Sequence, residues 1–262
     1  MRVFKTFLIV ALGCAFAAQA EYEVEITFKN GALRTVDDLV VQAGKVVLAK
    51  ENLSVAFDQI QIANFTFEEP LTAEECDGFF ARGDYKALVD RLNSFLAPVR
   101  QGLALPGNID LYVQYKMRAC FWTEQYDETL TAANILQKKN SQYAPLAGLY
   151  KVLVMLEQKK TPEDVARALS AISKPEEISS SISEYIQGRL AMEKRDYETA
   201  LQHFSNVLVY NSRDAEWVPA ATYYEAAVYK RTGYLESMAH IAKEFEIAYP
   251  EGYWSVRAEE LK

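Results

Sequence analysis

Apolar and polar residues alternate strictly from Tyr22 to Phe28, so that every second side chain is apolar. This period of two predicts a half-buried β-strand. The dipeptide Asn30-Gly31 follows, and it indicates a hairpin turn because both residues tolerate positive φ. Further short runs predict strands at residues 32–36, 39–42, 45–49, 53–57 and 60–65.

Five or six short strands joined by tight turns predict a small closed or nearly closed barrel, since closure removes exposed strand edges. We assign this β module to residues 21–68. Its turn glycine and its later run DQIQIANFTF resemble SH3-like or Sm-like barrels. Residues 21–70 carry nine acidic and four basic side chains, which does not favour an RNA-binding barrel.

Beyond residue 68 the pattern becomes helical. The segment DYETALQHFSNVL, residues 196–208, sets its apolar side chains along one side of a helix. Similar segments start at Asp84, Gln125, Thr161 and Gly233. If Tyr85, Tyr126, Pro162, Tyr197 and Tyr234 are taken as equivalent anchors, they are spaced by 41, 36, 35 and 37 residues. A period in this range predicts a stacked repeat array.

Two columns of this alignment are apolar in every copy and share one helical stripe. Four residues after the anchors stand Val89, Leu130, Ala166, Leu201 and Met238, and seven after stand Leu92, Ala133, Leu169, Phe204 and Ile241. Upstream partner helices are predicted at residues 72–81, 111–123, 143–156, 182–193 and 219–231. Because one hairpin cannot bury its apolar faces alone, neighbouring hairpins must stack. Residues 69–262 are therefore predicted to form about five helix pairs and a C-terminal capping helix, giving an α+β chain in two parts.

The fourth and fifth units resemble the tetratricopeptide repeat family. Gly188, Ala200 and Phe204 match its small and aromatic positions in the fourth unit, and Ala226 and Tyr229 do so in the fifth. The last segment, EFEIAYPEGYWSVRAEELK, is similar to periplasmic members of the family, which include lipoprotein subunits of outer-membrane assembly machinery and Tol-Pal coordinator proteins.

The resemblance implies a concave groove lined by the first helix of each hairpin, which holds an extended or helical peptide from a partner. Aromatic and Arg side chains are enriched at binding hot spots. The groove residues that follow from this register are Gln114, Arg118, Trp122, Tyr150, Tyr185, Arg189, Met192, Glu193, Thr222, Tyr229 and Lys230.

The N-terminus has the pattern of an export signal. Arg2 and Lys5 precede an apolar run over residues 7–17, and Ala18-Gln19-Ala20 fits a signal-peptidase site, so residues 1–20 are predicted to be removed. In an alternative interpretation Cys14 carries the lipid anchor of a bacterial lipoprotein. The run is too short to span a bilayer, and no later segment is apolar for long enough. The expected location is the periplasm or the outer-membrane surface.

Removal of residues 1–20 deletes two positive charges and changes the formal net charge from −8 to −10. Such an acidic chain is a poor match for nucleic acid, which needs clustered Lys and Arg. Cys76 and Cys120 remain in a compartment that permits disulfides. They are either bridged or buried as two separate thiols.

The sequence offers little catalytic chemistry. Its two histidines, His203 and His240, form no metal-binding pair on one helix turn, and no nucleophile elbow or phosphate-binding glycine loop occurs. We therefore expect no cofactor, no metal and no enzymatic activity. The leading hypothesis is an exported adaptor of the bacterial envelope that binds a partner protein or peptide. The alternatives are a secreted hydrolase or carbohydrate-handling enzyme, and a self-associating structural subunit of a surface assembly.

Overall fold

A computed structural model describes residues 22–36, 39–48 and 52–261 of the 262-residue chain. The predicted signal segment, residues 1–20 with Cys14, lies outside these ranges. The strands are β1 (Tyr22–Phe28), β2 (Leu33–Val36), β3 (Val40–Gln42), β4 (Lys45–Leu48), β5 (Leu53–Ala56) and β6 (Ile60–Phe67). The helices are α1 (Ala73–Arg82), α2 (Tyr85–Leu96), α3 (Asp110–Trp122), α4 (Tyr126–Lys138), α5 (Ala144–Glu157), α6 (Pro162–Ser170), α7 (Pro175–Ile178), α8 (Ser180–Glu193), α9 (Tyr197–Tyr210), α10 (Trp217–Thr232), α11 (Leu235–Ala248) and α12 (Tyr253–Glu259).

The strands lie where the alternation predicts them, but their sheets are not closed into a barrel. β1 pairs antiparallel with β2 and β6, while β3, β4 and β5 form a second antiparallel sheet. A barrel needs a continuous ladder of paired strands. The ladder beyond β6 is instead continued by the loop before α3: the Ala63 amide donates to the Pro106 carbonyl at 2.8 Å. The Asn108 side chain likewise bonds the backbone N–H and carbonyl of Phe65, at 2.9 and 2.8 Å.

This loop joins the β module to the helices. At Gly107 a Cβ would lie 1.8 Å from the Ala63 carbonyl oxygen, so only glycine allows the two backbones to approach. The same loop is also held by Lys139, at the end of α4. The buried Lys139 ammonium donates to the loop carbonyls of Leu103 and Leu105 at 2.8 and 3.1 Å, and it pairs with Asp110. Burial lowers the pKa of Lys139, and the Asp110 carboxylate partly opposes that shift.

The two parts share one hydrophobic core. The Phe67 ring at the end of β6 lies 4.3 Å from the Phe95 ring of α2, which in turn lies 4.6 Å from Tyr112 of α3. Buried side chains run without interruption from Val24 in β1 to Ala258 in α12. The β module is therefore packed onto the helices rather than tethered to them.

All five predicted hairpins turn in the same way. A residue with left-handed φ follows the first helix of each pair: Gly83 (70°), Glu124 (60°), Lys159 (56°), Arg195 (59°) and Gly233 (85°). The next residue then donates its N–H to the carbonyl five positions back: Asp84 to Phe79, Gln125 to Cys120, Lys160 to Met155, Asp196 to Ala191 and Tyr234 to Tyr229, at 2.9 to 3.0 Å. This is the Schellman arrangement, which ends a helix and satisfies its last carbonyls.

These turns correct the predicted register of the fifth unit by one residue. Tyr234 occupies the N-cap position, as Asp84 and Asp196 do, and Leu235 begins the helix as Tyr197 does. Accordingly, Tyr234 is 65% exposed whereas Tyr197 is half-buried. The prediction failed because it matched the aromatic side chains and ignored the glycine turn before them.

With that correction, the positions three, seven and ten residues after the start of each second helix are covered, although the last of them in the third unit, Ile172, lies just beyond the end of α6. These triplets are Leu88, Leu92 and Phe95; Thr129, Ala133 and Leu136; Val165, Leu169 and Ile172; Ala200, Phe204 and Val207; and Met238, Ala242 and Phe245, of which only Ile172 and Met238 are half-buried. The predicted column four residues after the anchor is less covered, since Leu130, Ala166, Leu201 and Met238 are only half-buried. Consecutive helices pack against one another along the chain, so the hairpins stack.

Gly188 of α8 permits a close approach between the two helices of its hairpin. A Cβ there would lie 2.6 Å from Cε1 of Phe204, well inside van der Waals contact. The predicted role of Gly188 as a close-packing position therefore agrees with its surroundings.

The last helix, α12, packs against α11, where the Phe245 and Trp254 rings lie 5.9 Å apart. After Tyr249 and Pro250 it turns back, and α12 reaches the first hairpin. We call residues 252–261 the strap. The sequence predicts a capping helix at residues 253–261; the helix there, α12, packs against α10 and α11 of the last hairpin and also reaches the first hairpin.

Candidate functional site

The strap is attached to the first hairpin by its aromatic residues. The Trp254 indole N–H donates to the Tyr85 hydroxyl at 2.9 Å, and the Tyr253 amide donates to the Gly83 carbonyl at 3.3 Å. Gly252 has a φ of 85°, and a Cβ there would lie 3.1 Å from the Arg82 carbonyl oxygen. The close backbone contact between the strap and the first hairpin thus depends on glycine.

The other end of the strap is attached to α10. Lys230 donates to the carbonyls of Glu260 and Leu261 at 3.0 and 3.2 Å, and the Tyr223 hydroxyl donates to the Glu260 carboxylate at 2.7 Å. The Leu261 side chain is buried against Ala226 and its neighbours. The strap therefore bridges the two ends of the helical stack.

Arg257 adds a polar contact in the middle of the strap. Its guanidinium donates to the Tyr253 hydroxyl at 3.0 Å and to the Glu260 carboxylate at 3.1 Å, and it reaches Glu124 at 3.3 Å. Glu124 lies in the turn between α3 and α4. Because the Arg257 side chain is 28% exposed, solvent weakens each of these ion pairs.

An open cleft of about 600 Å³ lies between the strap, the first hairpin and the turn after α3. Its lining comprises Gly83, Asp84, Tyr85, Lys86, Ala87, Asp90, Trp122, Thr123, Glu124, Gly252, Tyr253 and Val256. The Tyr85 and Trp122 rings stack with centroids 5.5 Å apart, and Tyr253 packs edge-on against both. Val256 of α12 is 68% exposed, so the cleft has an aromatic floor and an apolar rim.

Behind this floor the interior of the stack is built around one buried carboxylate, Glu216. Its Oε1 accepts from the Trp122 indole N–H at 2.7 Å and from the Tyr150 hydroxyl at 2.6 Å. Its Oε2 accepts from the Arg118 guanidinium at 2.9 and 2.7 Å. Burial and the Glu216 charge together raise the pKa of the Tyr150 hydroxyl well above its ordinary value. Glu216 thus connects α3, α5 and the start of α10.

A second buried arginine occupies the equivalent place in the fourth unit. Arg189 stands eight residues before Tyr197, as Arg118 stands eight before Tyr126. It donates to Glu157 and to the Tyr185 hydroxyl, both at 2.7 Å, and it lies 4.1 Å from the Tyr224 ring centroid. Both arginines therefore hold neighbouring hairpins together from the inside.

Most of the predicted groove residues belong to this interior. Those that are buried are Gln114, Trp122, Tyr150, Tyr185, Arg189 and Met192, and the Arg118 side chain is 19% exposed. Thr222 and Tyr229 are half-buried and bond within their own helix, to the Val218 carbonyl and the Glu225 carboxylate. Glu193 and Lys230 are exposed, and Lys230 holds the strap. Of the predicted set, only Trp122 lines the open cleft, and its ring forms the floor.

The sequence reasoning missed the residues that shape the cleft, namely Tyr85, Tyr253 and Val256. It also missed Glu216, whose partners are 66 to 98 residues away in the chain. The only local signal was the density of aromatic residues around positions 121–122 and 253–254.

Cys76 and Cys120 are free buried thiols, which is the second of the two arrangements left open by the sequence. Burial raises the pKa of both to about 11. At neutral pH both are therefore protonated and unreactive.

The two histidines lie in different surroundings. His203 Nδ1 lies 2.8 Å from a Glu184 carboxylate oxygen, whereas His240 is 74% exposed and 3.7 Å from Glu244. Across the described ranges, no group of three or more His, Cys, Asp or Glu is placed to hold a metal ion. Over the same ranges, no helix has the length and apolarity needed to cross a bilayer.

Comparison of the chain with protein-family models, with curated proteins and with solved structures gives no match.

Proposed function

We propose that this chain is an exported, non-catalytic adaptor of the bacterial cell envelope, a tetratricopeptide-like array that binds a partner protein through the cleft beside the strap. The export signal in residues 1–20 and the likeness of residues 244–262 to periplasmic repeat proteins support the location. The acidic composition supports a protein partner over nucleic acid.

One observation carries the proposal: an open cleft is lined by three aromatic residues of the array, Tyr85, Trp122 and Tyr253, and by the exposed Val256. Tyr and Trp are the residues most enriched at binding hot spots, because they combine a large apolar face with a polar atom. The cleft of about 600 Å³ is large enough to take several side chains of a partner segment. The predicted groove residues Arg118, Tyr150 and Arg189 are engaged in buried networks with Glu216 and Glu157, so the proposal assigns the partner to the cleft instead.

The proposal is tested by photo-crosslinking in the native host. A photoreactive amino acid is placed at Ala87 on α2, in the cleft lining, and a matched variant carries it at Val209 on α9, outside the cleft; both positions are exposed. We expect one discrete adduct from position 87 that is absent from position 209. A Lys86→Glu substitution in the cleft should reduce its yield. The same adducts from both positions, or none from position 87, would reject the cleft as the partner site.

A further inference from the structure

We propose that the strap occupies part of the partner's own site, and that the partner displaces it with a segment of the same chemistry. This inference rests on the function proposed above and specifies its partner. The recognised segment carries a glycine, two adjacent aromatic residues and an arginine, in the order of Gly252, Tyr253, Trp254 and Arg257.

The contacts of the strap define what the surface recognises. Gly252 allows close backbone approach, Tyr253 supplies a main-chain hydrogen bond, and Trp254 supplies a buried ring whose N–H meets Tyr85. Arg257 meets the carboxylate of Glu124. Recognition by main-chain hydrogen bonds together with side-chain anchors is how repeat and groove proteins hold peptide segments.

The strap does not fill the surface that it crosses. It leaves the cleft of about 600 Å³ open alongside it, and Val256 remains 68% exposed at the cleft's edge. A partner segment with the same anchors and an additional apolar side chain would fill this space. That extra burial favours the partner over the strap, because apolar area removed from water stabilises the complex.

The strap has the advantage of being tethered. A short linker gives it an effective concentration on the order of 1 mM at its site. A free segment with only the strap's own contacts therefore binds weakly to the intact chain. Weakening the strap without changing the site must then strengthen the binding of a free segment.

The experiment uses a labelled peptide of residues 249–262, YPEGYWSVRAEELK, and the intact chain. In the chain, Arg257→Ala removes the contacts of Arg257 to Tyr253, Glu124 and Glu260, whereas the peptide keeps its own arginine. We expect the peptide to bind this variant about tenfold more tightly than the unaltered chain, measured by fluorescence anisotropy. The matched control is Arg167→Ala on α6, which breaks an exposed ion pair with Asp164 away from the strap.

A second peptide, with alanine in place of its tryptophan, should lose this binding. Circular dichroism and the melting temperature confirm that both variants remain folded. Equal peptide affinity for the Arg257→Ala and Arg167→Ala chains would overturn the proposal. It would also be overturned if the Arg257→Ala chain became dimeric by light scattering without gaining affinity for the peptide, since the site would then belong to a second copy. The crosslink at position 87 lies outside the strap and does not depend on either outcome, so the adaptor function and its strap-like partner can fail separately.

Discussion

Trp254 donates its indole N–H to the hydroxyl of Tyr85 at 2.9 Å, although the two residues are 169 positions apart in the chain. Both side chains are almost fully buried. This bond joins the last helix to the first hairpin, so it depends on the correct position of every hairpin between them.

Replacement of Tyr85 by Phe should destabilise the chain by about 1–3 kcal/mol, because it leaves the buried Trp254 N–H without its acceptor. Urea unfolding measures the change. The matched control is Tyr234→Phe, which alters a 65% exposed tyrosine and should leave the midpoint unchanged. Equal midpoints for the two variants would show that the strap is not held by this bond.

Replacement of Glu216 by Gln should cost about 3–5 kcal/mol, because Arg118 then lacks its negative partner in a buried setting. The double variant Arg118→Met with Glu216→Gln should recover part of that loss, since Trp122 and Tyr150 can still donate to one amide oxygen. A double-mutant cycle by chemical denaturation measures this coupling. The control Glu244→Gln changes a carboxylate that is 67% exposed and should have no measurable effect.

Gly188 and Gly148 form a matched pair for testing helix packing. At Gly188 an added Cβ would lie 2.6 Å from Phe204, whereas at Gly148 the nearest atom, on Ile172, is 3.5 Å away. We expect Gly188→Ala to cost about 1–3 kcal/mol through overpacking. Gly148→Ala should be neutral or stabilising by up to about 1 kcal/mol, because alanine favours the helix. The reverse order in thermal unfolding would contradict the packing of α8 on α9.

The buried tyrosines predict a loss of stability in alkali. Burial raises the pKa of Tyr85, Tyr150 and Tyr185 well above the ordinary value of 10.0. Below that value both states keep these protons and the stabilisation is complete. Above it, the unfolded chain releases protons that the folded chain retains, so unfolding becomes easier by about 1.4 kcal/mol per pH unit for each tyrosine. Lys139, whose pKa is lowered, acts in the opposite direction.

Unfolding free energies measured from about pH 8 to about pH 11 test this slope. The variant Tyr185→Phe should show a smaller slope than the parent chain. Stability that stays constant above the pKa of free tyrosine would mean that these hydroxyls are open to solvent in the folded state.

The strands and the helix pairs could be predicted because their signals are local. The alternation from Tyr22 to Phe28 indicates which face of one strand is buried. The stripe containing Ala200 and Phe204 likewise indicates which face of one helix is buried. The closure of the sheets could not be inferred in this way. Which edge β6 presents to Pro106 and Asn108 depends on a loop about 40 residues later, and periodicity carries no information about that pairing.

The candidate site was harder to predict for the same reason. The family resemblance implied an open groove lined by first helices, and it assigned Arg118, Tyr150 and Arg189 to the partner-binding surface of that groove. It did not indicate that Glu216 would accept hydrogen bonds from Arg118 and Tyr150, or that Trp254 would donate to Tyr85. Both contacts join segments that are far apart in the chain, so local patterns could not predict them. The candidate site therefore lies beside the strap and not along the first helices, where the sequence predicted it.

The hydrogen exchange of the Trp254 indole proton, followed by NMR, tests the closure of the stack most directly. This proton is buried and bonded to Tyr85, so we predict that its signal persists after the exposed amides of α11 have exchanged. Exchange as fast as that of those exposed amides would show that the strap does not lie against the first hairpin, and the cleft between them would not exist.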